Sequence, residues 1–136
     1  MLTLTPAIRN AMVATCIRAL PNEGCGLLIG RVDGDDATAT EIVPSPNVAA
    51  SARVYEIDSR VLLRAFRRVD DEGSAVLGVF HSHTHSEAYP SPTDVRQAPD
   101  PAWHYILVSL RDIPAVVRSF RIKDDTVTSE DIYIEE

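Results

Sequence analysis

The strongest constraint on this chain is a continuous apolar run, Ala75 to Phe80, that leads without a break into His81-Ser82-His83. A run of this kind, following the turn-like Asp70-Asp71-Glu72-Gly73, reads as a central strand buried on both faces. Such a strand needs partners on either side and layers above and below, so the remaining segments have to supply further strands and helices. It also delivers its histidines at the C-terminal end.

The flanking sequence supplies those segments. Thr5-Pro6 is a capping residue followed by proline at the first helical position, and Ile8, Met12, Cys16 and Leu20 recur at helical spacing, so a first amphipathic helix is expected to about Leu20. After Pro21-Asn22, the stretch Gly24 to Gly30 reads as a short buried strand with Glu23 at its entrance. Asp33 to Asp36 is a turn signal, and Thr38 to Val43 returns as a strand before Pro44-Ser45-Pro46-Asn47 breaks it, which makes a hairpin. Arg53 to Ile57 reads as a brief strand. Asp58-Ser59 caps a helix that carries Val61, Leu62, Ala65, Phe66 and Val69 on one face. Ser91-Pro92-Thr93-Asp94 opens a short helix, and Trp103 to Leu110, Ala115 to Ile122 and Thr126 to Ile134 follow as strands. The expected fold class is α+β: a single mixed β-sheet packed by two main helices, with a short helix after the histidine loop. No repeat or linker interrupts it, so one domain is expected over residues 1–136.

Charge and cysteine content narrow the partners. With 13 Lys+Arg against 20 Asp+Glu the formal charge is -7, a field that opposes phosphate backbones and anionic lipid, so no nucleic-acid partner is expected. No run approaches the length of a membrane span, and Met1 to Asn10 lacks the basic start of a signal peptide, so neither membrane insertion nor export is expected. Two cysteines, Cys16 and Cys25, do not make a disulfide framework, and a reducing, cytoplasmic location fits them.

Chemistry concentrates at the end of the central strand. On extended backbone His81 and His83 point to the same face, and Asp94 sits on the first turn of the following helix. Two imidazoles and one carboxylate are the ligand set of an open catalytic zinc site, with water in the fourth position. Zinc lowers the pKa of that water to about 7, yet hydrolysis still needs a carboxylate to move its proton. Glu23 is the candidate, provided its strand neighbours the central one. Ser91 is placed to donate to a developing oxyanion. Each residue also has a plainer reading: Ser91 and Asp94 as a helix cap, Glu23 as a solvated loop acid. His85 reads as a solvated loop residue, His104 as a structural histidine, and Cys25 as core rather than nucleophile.

Taken together, Glu23 with Gly-Cys-Gly-Leu-Leu-Ile-Gly, then His81-x-His83, seven residues, Ser91, two residues and Asp94, resembles the signature of the JAMM (MPN+) metalloproteases. The resemblance spans nearly the whole chain. It implies a cytidine-deaminase-like fold, Zn2+ held by His81, His83 and Asp94, Glu23 as general base and Ser91 at the oxyanion. It further implies hydrolysis of the peptide or isopeptide bond after the C-terminal glycine of a ubiquitin-like protein. Thr84 stands where eukaryotic deubiquitinases of the family commonly carry proline. Glu87 to Asp94 and the stretch Asn47 to Asp58, with Tyr55, are instead similar to the bacterial branch that releases cysteine from a ubiquitin-like sulfur-carrier protein, for cysteine biosynthesis. The rival expectations are a deubiquitinase-like isopeptidase, a non-catalytic scaffold of the same fold, and a nucleoside deaminase. The last lacks its His-x-Glu and Pro-Cys-x-x-Cys pattern here.

Overall fold

A computed structural model describes residues 1–136. The chain forms eight strands and three helices: β1 (Leu2–Leu4), α1 (Pro6–Ala19), β2 (Cys25–Asp33), β3 (Asp36–Ser45), α2 (Ser59–Glu72), β4 (Ala75–His83), α3 (Pro92–Arg96), β5 (His104–Ser109), β6 (Val116–Lys123), β7 (Thr126–Glu130) and β8 (Ile132–Ile134). All strands join one mixed sheet in the order β7-β6-β5-β4-β2-β3-β1-β8. The pairs β4–β5, β1–β3 and β1–β8 are parallel and the others antiparallel.

Both main helices start where their caps require. Thr5 Oγ1 accepts the Ile8 N–H at 3.2 Å, and Asp58 Oδ1 accepts the Arg60 N–H at 2.8 Å, so each satisfies a donor that the first turn would leave free. The helices cover opposite faces of the sheet. Met12 and Cys16 of α1 pack with Leu28, Leu77, Phe80, Ile106 and Val108, while Ala65 and Val69 of α2 pack with Leu27, Ile29, Val76, Val79 and Tyr105. The central position of β4, between β2 and β5, is the one its apolar run demands.

Leu77 and Phe80 share a face although strict alternation would separate them. A bulge is the cause: the β2–β4 register slips between Leu28 and Ile29, which leaves Leu77 without a cross-strand partner beside Gly78. Gly78 has φ +157, and a Cβ there would meet the His104 carbonyl oxygen at 1.8 Å, so the close approach of β4 and β5 depends on glycine. Beyond the bulge, Val79, His81 and His83 all face the α2 side.

Three segments differ from expectation. Arg53 to Ile57 is a loop with a single bridge, Asn47 to Ile57, because the Asn47 side chain takes the backbone groups of Val54 and Glu56 that a strand would have paired. Thr126 to Ile134 is two strands, not one. β7 and β8 lie at opposite ends of the strand order yet only Asp131 separates them, so the sheet curls until its edges meet. The third difference is β1, too short at three residues to show a pattern, which fills the place between β3 and β8. No helix is long and apolar enough to cross a membrane.

Gly78→Ala is expected to destabilise the fold by about 3 kcal/mol or more, because the added methyl overlaps backbone that cannot yield. Gly34→Ala, at φ +62 with open space around it, should cost only about 1 kcal/mol. Urea unfolding of the two variants measures the difference, and equal losses would refute the close-approach argument.

Candidate metal centre

The site forms where three strand and helix ends converge. In the antiparallel β2–β4 ladder Cys25 pairs with His81 and Leu27 with Val79, so continuing the register sets Glu23 opposite His83 on the same face. The two strands are neighbours, as the candidacy of Glu23 requires. Ser82 locks the junction from the other face: its backbone N–H donates to the Gly24 carbonyl at 3.0 Å and its Oγ accepts the Gly24 N–H at 2.8 Å. Gly24 itself has no room for a side chain, since a Cβ would lie 2.7 Å from the Cys16 Cα of α1.

Asp94 arrives from α3. Ser91 caps that helix by accepting the Asp94 N–H at 3.1 Å, and its own N–H donates back to Asp94 Oδ2 at 2.9 Å. This capping box aims the carboxylate at the sheet. The same Oδ2 lies 3.1 Å from His81 Nε2 and 3.1 Å from His83 Nε2, all three residues being buried. The cap and the cluster are thus one construction, not alternatives. The Ser91 hydroxyl proton has no acceptor within the chain.

Protonation shows what the cluster lacks. His83 Nδ1 lies 2.9 Å from the Glu87 carbonyl oxygen, so that nitrogen carries a proton. A neutral imidazole has only one N–H, and its Nε2 would then face Asp94 Oδ2 lone pair to lone pair. A second proton or a cation has to lie between them. Two ligands about 2.05 Å from a tetrahedral zinc are roughly 3.4 Å apart, so each His–Asp contact needs to open by only about 0.3 Å to admit one. The ligand atoms of His81, His83 and Asp94 all lie within 4.8 Å of one another, and the donor set fits a zinc-like ion.

The electrostatics agree. Burial works to raise the Asp94 carboxyl, but the two imidazoles overcome it and hold the group well below the usual carboxylate range. Burial pulls His83 down, yet Asp94 and the Glu87 carbonyl leave it above the ordinary histidine value. For His81 burial prevails and the pKa falls. Burial pushes Glu23 up to about 8, against the pull of His83 and with a push from Asp94. Glu23 is 2 % exposed and its Oε1 has no hydrogen-bond partner, a costly arrangement for a residue with only a structural task.

Two neighbours were not singled out from sequence as parts of the site. Tyr55 stacks on His81 with ring centroids 4.1 Å apart and planes at 19°. Asn47 organises the loop that carries Tyr55: its Nδ2 donates to the carbonyls of Glu23, Ser51 and Val54, and its Oδ1 accepts from Ala49 and Glu56. The turn signal at Pro44 to Asn47 marked the place but not the partners. The remaining candidates lie apart from the cluster. His85 is exposed, with Nδ1 at 2.8 Å from Thr84 Oγ1, and His104 is a buried partner of Glu130 at 2.5 Å. Burial pushes the Cys25 thiol up to about 12, so it is no nucleophile at neutral pH.

Fold and donor set define the class: an α+β protein with a candidate hydrolytic metal centre at the C-terminal end of its central strand. Comparison with known proteins makes this specific. The family of prokaryotic homologs of the JAB domain matches residues 5–123, and the chain belongs to it and is a hydrolase of that family. It is 42% identical over 128 residues to the CysO-cysteine peptidase of Mycobacterium tuberculosis, covering 93% of this chain and 86% of that protein. It is 38% identical over 90 residues to the desampylase of Haloferax volcanii, covering 65% of this chain and 63% of the other. Among solved structures, a Desulfitobacterium hafniense protein determined in solution superposes with a TM-score of 0.92 at 41% identity, covering all of this chain and 94% of that one.

Equilibrium dialysis against zinc is expected to give one ion per chain for the wild type and little for His81→Ala or His83→Ala. Affinity should rise with pH through and above the ordinary histidine range, because the proton on His83 Nε2, held there by Asp94, competes with the metal. Stoichiometric zinc in both variants, or affinity flat with pH, would show that these imidazoles are not ligands.

Proposed function

We propose that this chain is a zinc-dependent peptidase of one domain, residues 1–136, that cuts after the C-terminal glycine of a ubiquitin-like protein and releases cysteine from a sulfur carrier. The observation that carries the proposal is the buried, unpartnered carboxylate oxygen of Glu23 on the face that holds His81, His83 and Asp94. A scaffold without catalysis gives no reason to keep such a group. The named relatives support the substrate class, since the CysO-cysteine peptidase covers most of the chain. Two buried free thiols, Cys16 and Cys25, suit a cytoplasmic enzyme.

His81, His83 and Asp94 would hold the ion, which supplies Lewis-acid polarisation and acidifies water to near neutrality when bound. Glu23 accepts the proton of the attacking water and delivers it to the leaving amine nitrogen. Its raised pKa suits both halves of that task near neutral pH. The Ser91 hydroxyl donates to the carbonyl oxygen as negative charge develops there, while its Oγ continues to cap α3. Attack by water directly on the glycine carbonyl requires no covalent enzyme intermediate.

Glu23→Gln should keep the metal and the fold yet lose about 10²- to 10⁴-fold in kcat, because an amide cannot accept the proton. Ser91→Asp can still cap the helix but sets an anion beside the developing oxyanion, so a loss of about 10²-fold or more is expected. Wild-type turnover in either variant would remove that residue from the mechanism. For the substrate, mass spectrometry of a carrier ending in Gly-Gly-Cys should show loss of the cysteine residue, blocked by chelation and restored by zinc. A free Gly-Gly-Cys peptide should be cut far more slowly, because binding to the carrier body orients the scissile bond. Equal kcat/KM for both would indicate a general small-peptide peptidase, and cleavage of isopeptide conjugates alone would favour the isopeptidase reading.

A further inference from the structure

Where the chain leaves His83 lies a cavity of about 560 Å³, lined by Leu20, Pro21, Thr84, His85, Leu110 and Arg111. Its volume is in the range of small-molecule sites. Its walls continue directly from β4 and β5, which are parallel and pair His83 with Ser109, so the cavity sits at the carboxyl ends of both strands. The loops after these strands are stitched together: the Leu110 N–H donates to the His83 carbonyl at 3.0 Å, and Ser109 Oγ donates to the Ser86 carbonyl at 2.6 Å. The cavity is thereby held in fixed relation to His83.

Its lining differs in charge from those of the other main cavities. On a chain of formal charge -7, each of the other four main cavities is lined by at least one carboxylate, whereas this lining has Arg111 and His85 and no acid. Arg111 uses Nε on Asp112 at 3.2 Å, which leaves Nη1 and Nη2 without a partner in the chain. His85 engages Thr84 through Nδ1, which leaves Nε2 free. A guanidinium edge and an imidazole nitrogen over an apolar floor of Leu20, Pro21 and Leu110 are complementary to a small molecule bearing a carboxylate.

We propose that this cavity seats the leaving group, and that Arg111 reads the free α-carboxylate of a single C-terminal amino acid such as cysteine. The assignment rests on the peptidase reading above. In a single-residue leaving group the carboxylate lies one residue, about 3.5 Å of chain, beyond the scissile nitrogen, which keeps it next to the centre. Hydrolysis transfers oxygen to the glycine carbonyl and a proton to that nitrogen, while the carboxylate is unchanged and available to Arg111 throughout. An isopeptide-linked lysine side chain within a protein offers no carboxylate at that place, so the cavity selects terminal amino acids over protein conjugates.

The test compares two carrier adducts, Gly-Gly-Cys with a free carboxylate and the same chain as the C-terminal amide, on zinc-loaded wild type, Arg111→Ala and Arg111→Lys. Wild type should prefer the acid by roughly five- to fiftyfold in kcat/KM, mostly through KM. Arg111→Ala should cut the acid and the amide adduct with nearly equal kcat/KM, and Arg111→Lys should recover part of the preference for the acid. Because Arg111 is exposed, thermal melting of the variants should match wild type. Cleavage of the acid adduct by wild type with an undiminished acid preference in Arg111→Ala would overturn the assignment and leave the peptidase reading intact. Failure of wild type to cut either adduct would overturn the peptidase reading and this assignment with it.

Discussion

The register of β2 against β4 is the constraint on which the site depends. Cys25 opposite His81 and Leu27 opposite Val79 set the strand entrance that carries Glu23 beside the strand exit that carries the histidines. Side chains alternate along a strand, so a slip of one residue in either strand would turn its functional groups to the other face. The bulge at Leu77 and Gly78 belongs to the same arrangement, because it resets the alternation before Val79, His81 and His83 and sends them to the α2 side. Gly78 and Gly24 then allow the backbone contacts, with β5 and with α1, that hold both strands in place.

Onto this frame α3 brings a single carboxylate oxygen. Oδ2 of Asp94 meets two imidazoles and the Ser91 N–H, and Ser91 Oγ secures the backbone in return. A carboxylate buried this deeply is tolerated because donors surround it, and those donors depress its pKa despite burial. Glu23 lives under the opposite conditions a short distance away, buried with an unpaired oxygen and a raised pKa. Two carboxylates pushed in opposite directions is the pattern expected when one is to hold a cation and the other to carry protons.

Much of this was legible in the chain itself. The apolar run before His81, the capping signals at Thr5, Asp58 and Ser91, and the spacing of His81, His83 and Asp94 are local features, and the fold follows them closely. What stayed hidden depends on contacts between distant residues. β1 is too short to show periodicity and exists because β3 and β8 flank it. Thr126 to Ile134 alternates like one strand, and only closure of the sheet makes Asp131 a break. Arg53 to Ile57 has strand-like residues, but the Asn47 side chain supplies their hydrogen bonds and the segment becomes the loop that lays Tyr55 over His81. Spacing alone also set the helix-cap and cluster readings of Asp94 against each other, whereas the same oxygen serves both.

The central claim is that His81, His83 and Asp94 share one ion next to a free Glu23. Anomalous diffraction at the zinc edge from crystals of the zinc-loaded protein tests it most directly. The expected result is one peak about 2.0 to 2.2 Å from both histidine Nε2 atoms and from an Asp94 carboxylate oxygen, with no Glu23 oxygen within that distance. A peak coordinated elsewhere on the chain, or one with Glu23 as a ligand in place of Asp94, would contradict the account.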